Sequence, residues 1–252
     1  MRVLVSPNAF KGSLSPAEAA RSLAQGLRGA ARGFEVVEFP ISDGGQGFVD
    51  AVVTAKRGEL VEAEVEGPLG DPVRAWFGLI DGGRTAVVEM ASASGLTLIP
   101  PERRDPLRAS TFGTGELMLA ALRRGCERLI MGIGGSATND AGAGMAQALG
   151  VRLKDSSGKE IGKGGGELGG LASIDVSGID PRVRTVEVIV ACDVSNPLCG
   201  ENGASVVYGP QKGATPKTVR VLDENLFKFA QAVKTDLGVD ILNVPGSGAA
   251  GG

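Results

Sequence analysis

One pattern recurs along this chain: a short apolar run, a polar loop containing glycine, then a segment whose apolar residues return at helical spacing. A strand that feeds a helix through a short loop builds α/β architecture with largely parallel strands. The first unit shows it plainly. Residues 2–6 form a strand, 7–12 a loop, and Ser13 or Ser15 caps a helix with Pro16 and Glu18 in its first turn, running to about Arg28. A second strand over 35–41 delivers Ser42-Asp43-Gly44-Gly45-Gln46-Gly47 into another helix. Between 58 and 89 the period changes to two, with strands over 59–66, 73–79 and 85–90 separated by Gly-Pro and Asp-Gly-Gly turns, which predicts an antiparallel element at a lobe boundary.

From Thr111 the α/β rhythm resumes. The spacing predicts a helix over 116–124, a strand over 128–133, a loop over 134–140, a helix to 149 and a strand over 151–154. A glycine-rich stretch over 158–170 reads as a surface loop, 186–191 as a strand ending in Cys192-Asp193, and 223–237 as a helix. The last seven residues are all glycine, alanine or serine, a run that normally introduces a helix or phosphate loop, so the sequence reads as cut short. The expectation is a two-lobed α/β protein. One lobe holds a mostly parallel Rossmann-like sheet with helices, begun by residues 1–66. A mixed α/β lobe with antiparallel strands and glycine-rich ligand loops spans 67–252.

Composition narrows the chemistry. There is no histidine, which excludes Ser-His-Asp and Cys-His catalysis and His-ligated zinc, and leaves carboxylates, lysine, hydroxyls and backbone. Cys126, Cys192 and Cys199 are an odd set without CxxC spacing, so they read as small buried residues in a reducing cytoplasm. A net charge of −3 argues against nucleic acid as main partner, and no apolar run approaches the roughly 20 residues of a membrane span. The 40 glycines gather at strand ends, where backbone can approach a ligand closely.

Open α/β sheets bind ligands beyond the carboxyl ends of their strands. Four groups occupy those ends: Asn8 with Lys11; Ser42 with Asp43; Ser136 with Thr138, Asn139 and Asp140; Asp193 with Ser195 and Asn196. Each also has a plain reading. Lys11 is either a solvated charge or a phosphate ligand, Asp43 a turn former or a functional acid, and Asp140 a helix cap or a ligand group. Lys212, in Gly-Pro-Gln-Lys-Gly, stays open between the two. Gly132-x-Gly134-x-x-Ala137 also matches a dinucleotide fingerprint, with Asp155 near the distance of a ribose-binding acid, so an NAD-binding dehydrogenase is a rival. The GxxxxGK[ST] loop of nucleoside triphosphatases is absent.

Taken together, the segments resemble the bacterial glycerate kinase family of the first structural type. The likeness rests on stretches in order: Ser6-Pro7-Asn8-Ala9-Phe10-Lys11-Gly12-Ser13-Leu14-Ser15, residues 42–47, Gly67-Pro68-Leu69-Gly70, Glu89-Met90-Ala91-Ser92-Ala93-Ser94-Gly95-Leu96 and Thr111-Phe112-Gly113-Thr114-Gly115-Glu116-Leu117. It continues through residues 134–140, 191–200, 207–214 and the final 246–252. The resemblance favours a kinase loop over a dehydrogenase loop. It implies a two-lobed cytoplasmic enzyme that transfers the γ-phosphoryl of MgATP to D-glycerate, giving 2-phosphoglycerate or 3-phosphoglycerate, with small-molecule substrates and a homodimer as the expected partners.

On that resemblance Asp193 accepts the glycerate hydroxyl proton, Lys11 neutralises phosphate charge, and Asp43 with Asp140 holds Mg²⁺ or substrate. Gly134, Gly135, Ser136, Thr138 and Asn139 bind phosphate or carboxylate, and Asn8, Ser13, Gly44, Gly45, Gln46 and Lys212 complete the binding set. The family usually has aspartate at Asn8 and glutamate at Gln46, and its members run considerably further. Two neutral amides thus replace carboxylates, which keeps shape and removes charge. An inactive ligand-binding relative or fragment is therefore the alternative.

Overall fold

The computed structural model describes residues 1–10, 13–30 and 33–252. It opens with β1 (Arg2–Val5), α1 (Pro16–Ala30), β2 (Glu35–Glu38) and α2 (Phe48–Lys56). Then come β3 (Glu59–Glu66), β4 (Pro72–Ile80), β5 (Thr85–Glu89), α3 (Ala91–Ser94) and α4 (Phe112–Arg123). The second half runs β6 (Arg128–Gly132), α5 (Ala143–Ala148), β7 (Arg152–Lys154), β8 (Ser173–Asp175), β9 (Glu187–Ala191), α6 (Ala204–Tyr208) and α7 (Pro216–Leu237).

The central sheet has the order β3-β4-β5-β6-β9. Its first three strands pair antiparallel and β5, β6 and β9 pair parallel, so the carboxyl ends of those three point the same way. β1 and β2 form a separate parallel pair, and β7 and β8 an antiparallel one. The antiparallel element expected over 58–89 is present, and it is continuous with the parallel strands. β3, assigned above to the unit 1–66, hydrogen-bonds along its length to β4 and belongs with the larger sheet.

Both faces of the sheet are covered at β5, as its unbroken apolar run requires, whereas edge strand β9 is exposed along most of its length. Ala86 and Val88 join Phe77, Leu79, Leu129 and Met131 against Leu117, Met118, Ala121 and Leu122 of α4. Val87 and Ile80 turn the other way, onto Phe48, Val49 and Val53 of α2. A further core lies under α7, where Leu226, Phe229, Ala230 and Val233 meet Val151, Leu153, Leu168 and Leu198.

Local chemistry sets the helix limits. Ser15, not Ser13, caps α1: its Oγ accepts the Glu18 amide at 3.2 Å while Glu18 Oε2 accepts the Ser15 amide at 2.8 Å, a reciprocal capping box. α7 begins earlier than apolar spacing indicates, because Thr215 caps it and Pro216 fits its first position. α4 likewise starts at Phe112, and Gly113 is there because a Cβ would collide with the Glu66 carbonyl. The glycine-rich stretch 158–170 is not simply surface. Gly164 and Gly165 are buried against the carbonyls of Leu107, Arg108 and Asn139, and Asn225 Nδ2 donates to Gly165 O at 2.9 Å.

Candidate active site

Three strand ends converge on one cleft. Asp43 comes from the loop after β2, Ile133 to Ser136 from the loop after β6, and Ala191 to Val194 from the end of β9. Tyr208, Gln211, Lys212, Ala249 and Ala250 close the far wall, and the cleft holds roughly 130 Å³.

Its floor is backbone packed on backbone. Gly134 donates its amide to the Gly44 carbonyl at 2.9 Å, and a Cβ on Gly44 would stand 2.9 Å from the Ala191 carbonyl. Gly44 also has φ +90°, a conformation open to glycine and costly for other residues. The glycine turn after β2 thus seats on the ends of β6 and β9. The Gly134 amide is spent in that seating, whereas the amides of Gly135 and Ser136 take no acceptor among the described residues. Two such amides at a strand end suit an anion.

Lys212 is 2% exposed, and its three donors meet three acceptors: Ser136 Oγ at 2.7 Å, Thr138 O at 2.5 Å and Ala250 O at 3.1 Å. Ser136 Oγ in turn donates to Ala250 O at 2.5 Å. The lysine therefore ties the 134–139 loop to residues 249–251, and its charge reaches the cleft through Ser136. Burial pushes its pKa down to about 7, with Asp140 opposing that shift. Lys212 thus lines the cleft with its three donors committed to these acceptors.

Asp140, expected to hold a metal, is 1% exposed and stands behind the loop. Its Oδ2 accepts the Thr111 amide and hydroxyl, each at 2.9 Å, and the Gly144 amide at 3.2 Å. Burial raises its pKa and these bonds oppose the rise. This carboxylate joins the starts of α4 and α5 and does not line the cleft, so pairing it with Asp43 around Mg²⁺ is corrected. Thr138 and Asn139 are equally buried, and Asn139 Nδ2 donates to Gly251 O at 3.1 Å. Among the described residues no group of three or more acids or cysteines is arranged to hold a metal ion.

Asp43 and Asp193 are exposed on the cleft. Asp43 Oδ1 accepts the Gly45 amide and Oδ2 the Asn8 side-chain amide, both at 3.1 Å, so Asn8 orients Asp43 from outside the cleft. Asp193 carries no hydrogen bond to the described residues, and its charge raises the pKa of the neighbouring Tyr208, after burial the largest cause. Tyr208 donates its hydroxyl to Asn196 Oδ1 at 2.7 Å. Ser13 is exposed in a small bridge with its amide on Phe10 O, away from the cleft lining. Gln46 lines a different cavity, on the far side of the glycine turn. Lys11 lies outside the described residues.

The sequence reading missed Tyr208 and Glu89, and its expectation of three buried cysteines is corrected: Cys126 is buried, Cys199 half-buried, and Cys192 exposed on the cleft beside Asp193. An acid ending the apolar run of β5 was the available signal for Glu89. The dehydrogenase fingerprint fails structurally: Asp155 follows β7, which pairs with β8 in a sheet separate from β6, and its Oδ1 is bound to Ser157 and the Lys159 amide in a surface turn. It does not end a strand beside β6, where a ribose-binding acid belongs.

The model of the glycerate kinase family matches residues 3–252. The chain belongs to the glycerate kinase family. It is 55% identical to the glycerate kinase of Bacillus subtilis (strain 168), over all of this chain and 66% of that protein. It is 50% identical to the glycerate 2-kinase of Escherichia coli (strain K12), again over the whole chain and 66% of the relative. A crystal structure from Salmonella typhimurium LT2, assigned as glycerate kinase 2, superposes with a TM-score of 0.89 at 50% identity, covering all of this chain and 67% of that one. The chain thus spans just under two thirds of the length of these curated glycerate kinases. No helix among the described residues is long and apolar enough to cross a membrane.

Proposed function

We propose that the cleft is the phosphoryl-transfer site of an ATP-dependent D-glycerate kinase. The observation that carries this is the meeting of two exposed carboxylates, Asp43 and Asp193, with the free amides of Gly135 and Ser136 in one cleft. Phosphoryl transfer asks for positioning and charge neutralisation rather than a covalent intermediate, so a site without histidine suffices.

In this reading a glycerate hydroxyl oxygen attacks the γ-phosphorus, its proton passes to Asp193, and ADP leaves with the bridging oxygen. The amides of Gly135 and Ser136 and the Ser136 hydroxyl receive the charge on the transferred group. Asp43 is the cleft carboxylate that would hold a magnesium ion accompanying the nucleotide, which would neutralise phosphate charge there. The name of the Escherichia coli relative supports the 2-hydroxyl as acceptor and 2-phosphoglycerate as product.

A second reading is binding without turnover. Asn8 favours it, because an amide donates to Asp43 Oδ2 and occupies an oxygen that a cation would otherwise use. ADP release from MgATP by the 252-residue chain, with D-glycerate, without it, and with L-lactate as control, separates the two. Glycerate-dependent release supports the kinase; tight glycerate or nucleotide binding with no release supports the second reading.

A further inference from the structure

Glu89 ends β5 and is 8% exposed, yet it lines no part of the cleft. Its Oε2 accepts the Gly47 amide at 3.0 Å and the Val49 amide at 3.4 Å, 42 and 40 residues earlier in the chain. Those amides open α2, whose own N-cap residue, Gly47, has φ 85° and supplies no side-chain cap. A helix start with unpaired amides needs an acceptor, and here a carboxylate from another strand provides it.

The glycine turn is consequently held at two points. Glu89 holds its distal end, and the Gly134 amide holds Gly44 at its proximal end. Both anchors ride on adjacent strands, since Glu89 and Gly132 are register partners in β5 and β6 and the Met90 amide donates to Gly132 O. Asp43 stands directly before the proximal anchor, with its Oδ1 on the Gly45 amide inside the same turn.

We propose that Glu89 is a positioning residue for the cleft: its carboxylate fixes the turn 44–47 and thereby sets where Asp43 stands. This rests on reading the cleft as the phosphoryl-transfer site. The ionised carboxylate is the better acceptor for the two amides, so the turn is held most firmly when Glu89 is charged. Burial pushes its pKa up to about 7, so both forms are populated near neutral pH. Of the groups facing it, Asp50 of α2 adds to the rise, and Arg74 of β4 lines the same cavity but is turned to Glu62 at 3.6 Å. Ser15, Gln46, Trp76, Ser92 and Thr97 are uncharged, and β6 presents only glycine there. The cavity, roughly 310 Å³, gives the carboxyl a route for proton exchange.

The test is an amide ¹H–¹⁵N titration of the 252-residue chain across neutral pH, beside the Glu89→Gln variant. The Gly47 and Val49 amides are expected to titrate together, and the Gly45 amide to follow with the same midpoint because Asp43 shifts with the turn; all three responses vanish in Glu89→Gln. Movement of Gly47 and Val49 without Gly45 would reduce Glu89 to a helix cap and overturn the proposal, as would no titration at all. In the kinase assay Glu89→Gln is expected to lower kcat by about tenfold, with KM for D-glycerate changed by less than about threefold, and to remove the acid limb of the kcat profile. An unchanged pH profile in an active enzyme also overturns it. If wild type releases no ADP, the kinase reading falls, while the amide titration still decides the role of Glu89.

Discussion

Lys212 Nζ lies 2.7 Å from Ser136 Oγ although 76 residues separate them, and the same ammonium group holds the carbonyls of Thr138 and Ala250. A buried lysine therefore shapes the 134–139 loop from behind. Its cost in desolvation is met by three acceptors at one point, which ties two segments of mostly small residues together there.

Lys212→Met is expected to lower kcat at least about tenfold, because Ser136 and Ala250 lose their common partner. It should also change how stability follows pH. The folded-state pKa of Lys212 is depressed to about 7 from 10.5, so between those values the unfolded chain binds the extra proton and folding gains stability as pH rises. Urea unfolding of wild type and Lys212→Met through this window should show wild type gaining relative to the variant. Parallel profiles would contradict the assignment.

Gly44→Ala places a Cβ 2.9 Å from the Ala191 carbonyl at φ +90°. The expected loss is about 1–3 kcal/mol in unfolding free energy, read from the urea midpoint. Gly70→Ala is the control: its φ is +97°, but nothing stands within 4 Å of the added Cβ, so it should lose less.

Asp193→Asn should leave unfolding free energy within about 0.5 kcal/mol, since the side chain is exposed and makes no hydrogen bond to the described residues. Turnover should fall by about a hundredfold or more if the carboxylate accepts the hydroxyl proton. Calorimetry of D-glycerate binding completes the measurement: retained binding with lost turnover assigns Asp193 to the chemical step, and retained turnover removes it.

Cys192 is exposed and lines the cleft, Cys126 is buried, and burial holds the Cys199 thiol up at about 12. N-ethylmaleimide at neutral pH should therefore modify Cys192 first, identified by peptide mass mapping. Bound MgATP or D-glycerate should slow the labelling, and the labelled protein should lose turnover by obstruction. Full turnover after complete labelling would rule out that part of the cleft as a substrate path.

Much of this arrangement was legible in the sequence, because strand ends in an α/β chain are marked by where apolar runs stop. Asp43, the 134–136 loop and Asp193 each follow such a stop, and they do meet. What the sequence withheld was direction and depth. Asp140 sits in the same motif as Ser136 but faces Thr111 and Gly144, a choice made by the packing of α4 against α5 rather than by its neighbours in the chain. Lys212 and Glu89 act across 74 and 42 residues, and no local period reports partners so distant. The early start of α4 was hidden for a related reason: Thr111 and Gly113 are poor helix formers, made to serve by Asp140 and by the approach of Glu66.

Because the floor of the cleft is peptide group against peptide group at Gly44, Gly132 and Gly134, it offers almost no side chains for mutation to act on. Any change of residue there alters the spacing of two strand ends before it alters a preference for one ligand over another. Divergence in what such a cleft accepts must then come from side chains around its rim, such as Asp43, Cys192, Asp193, Tyr208 and Gln211, while the glycines remain a fixed ruler against which every ligand is measured.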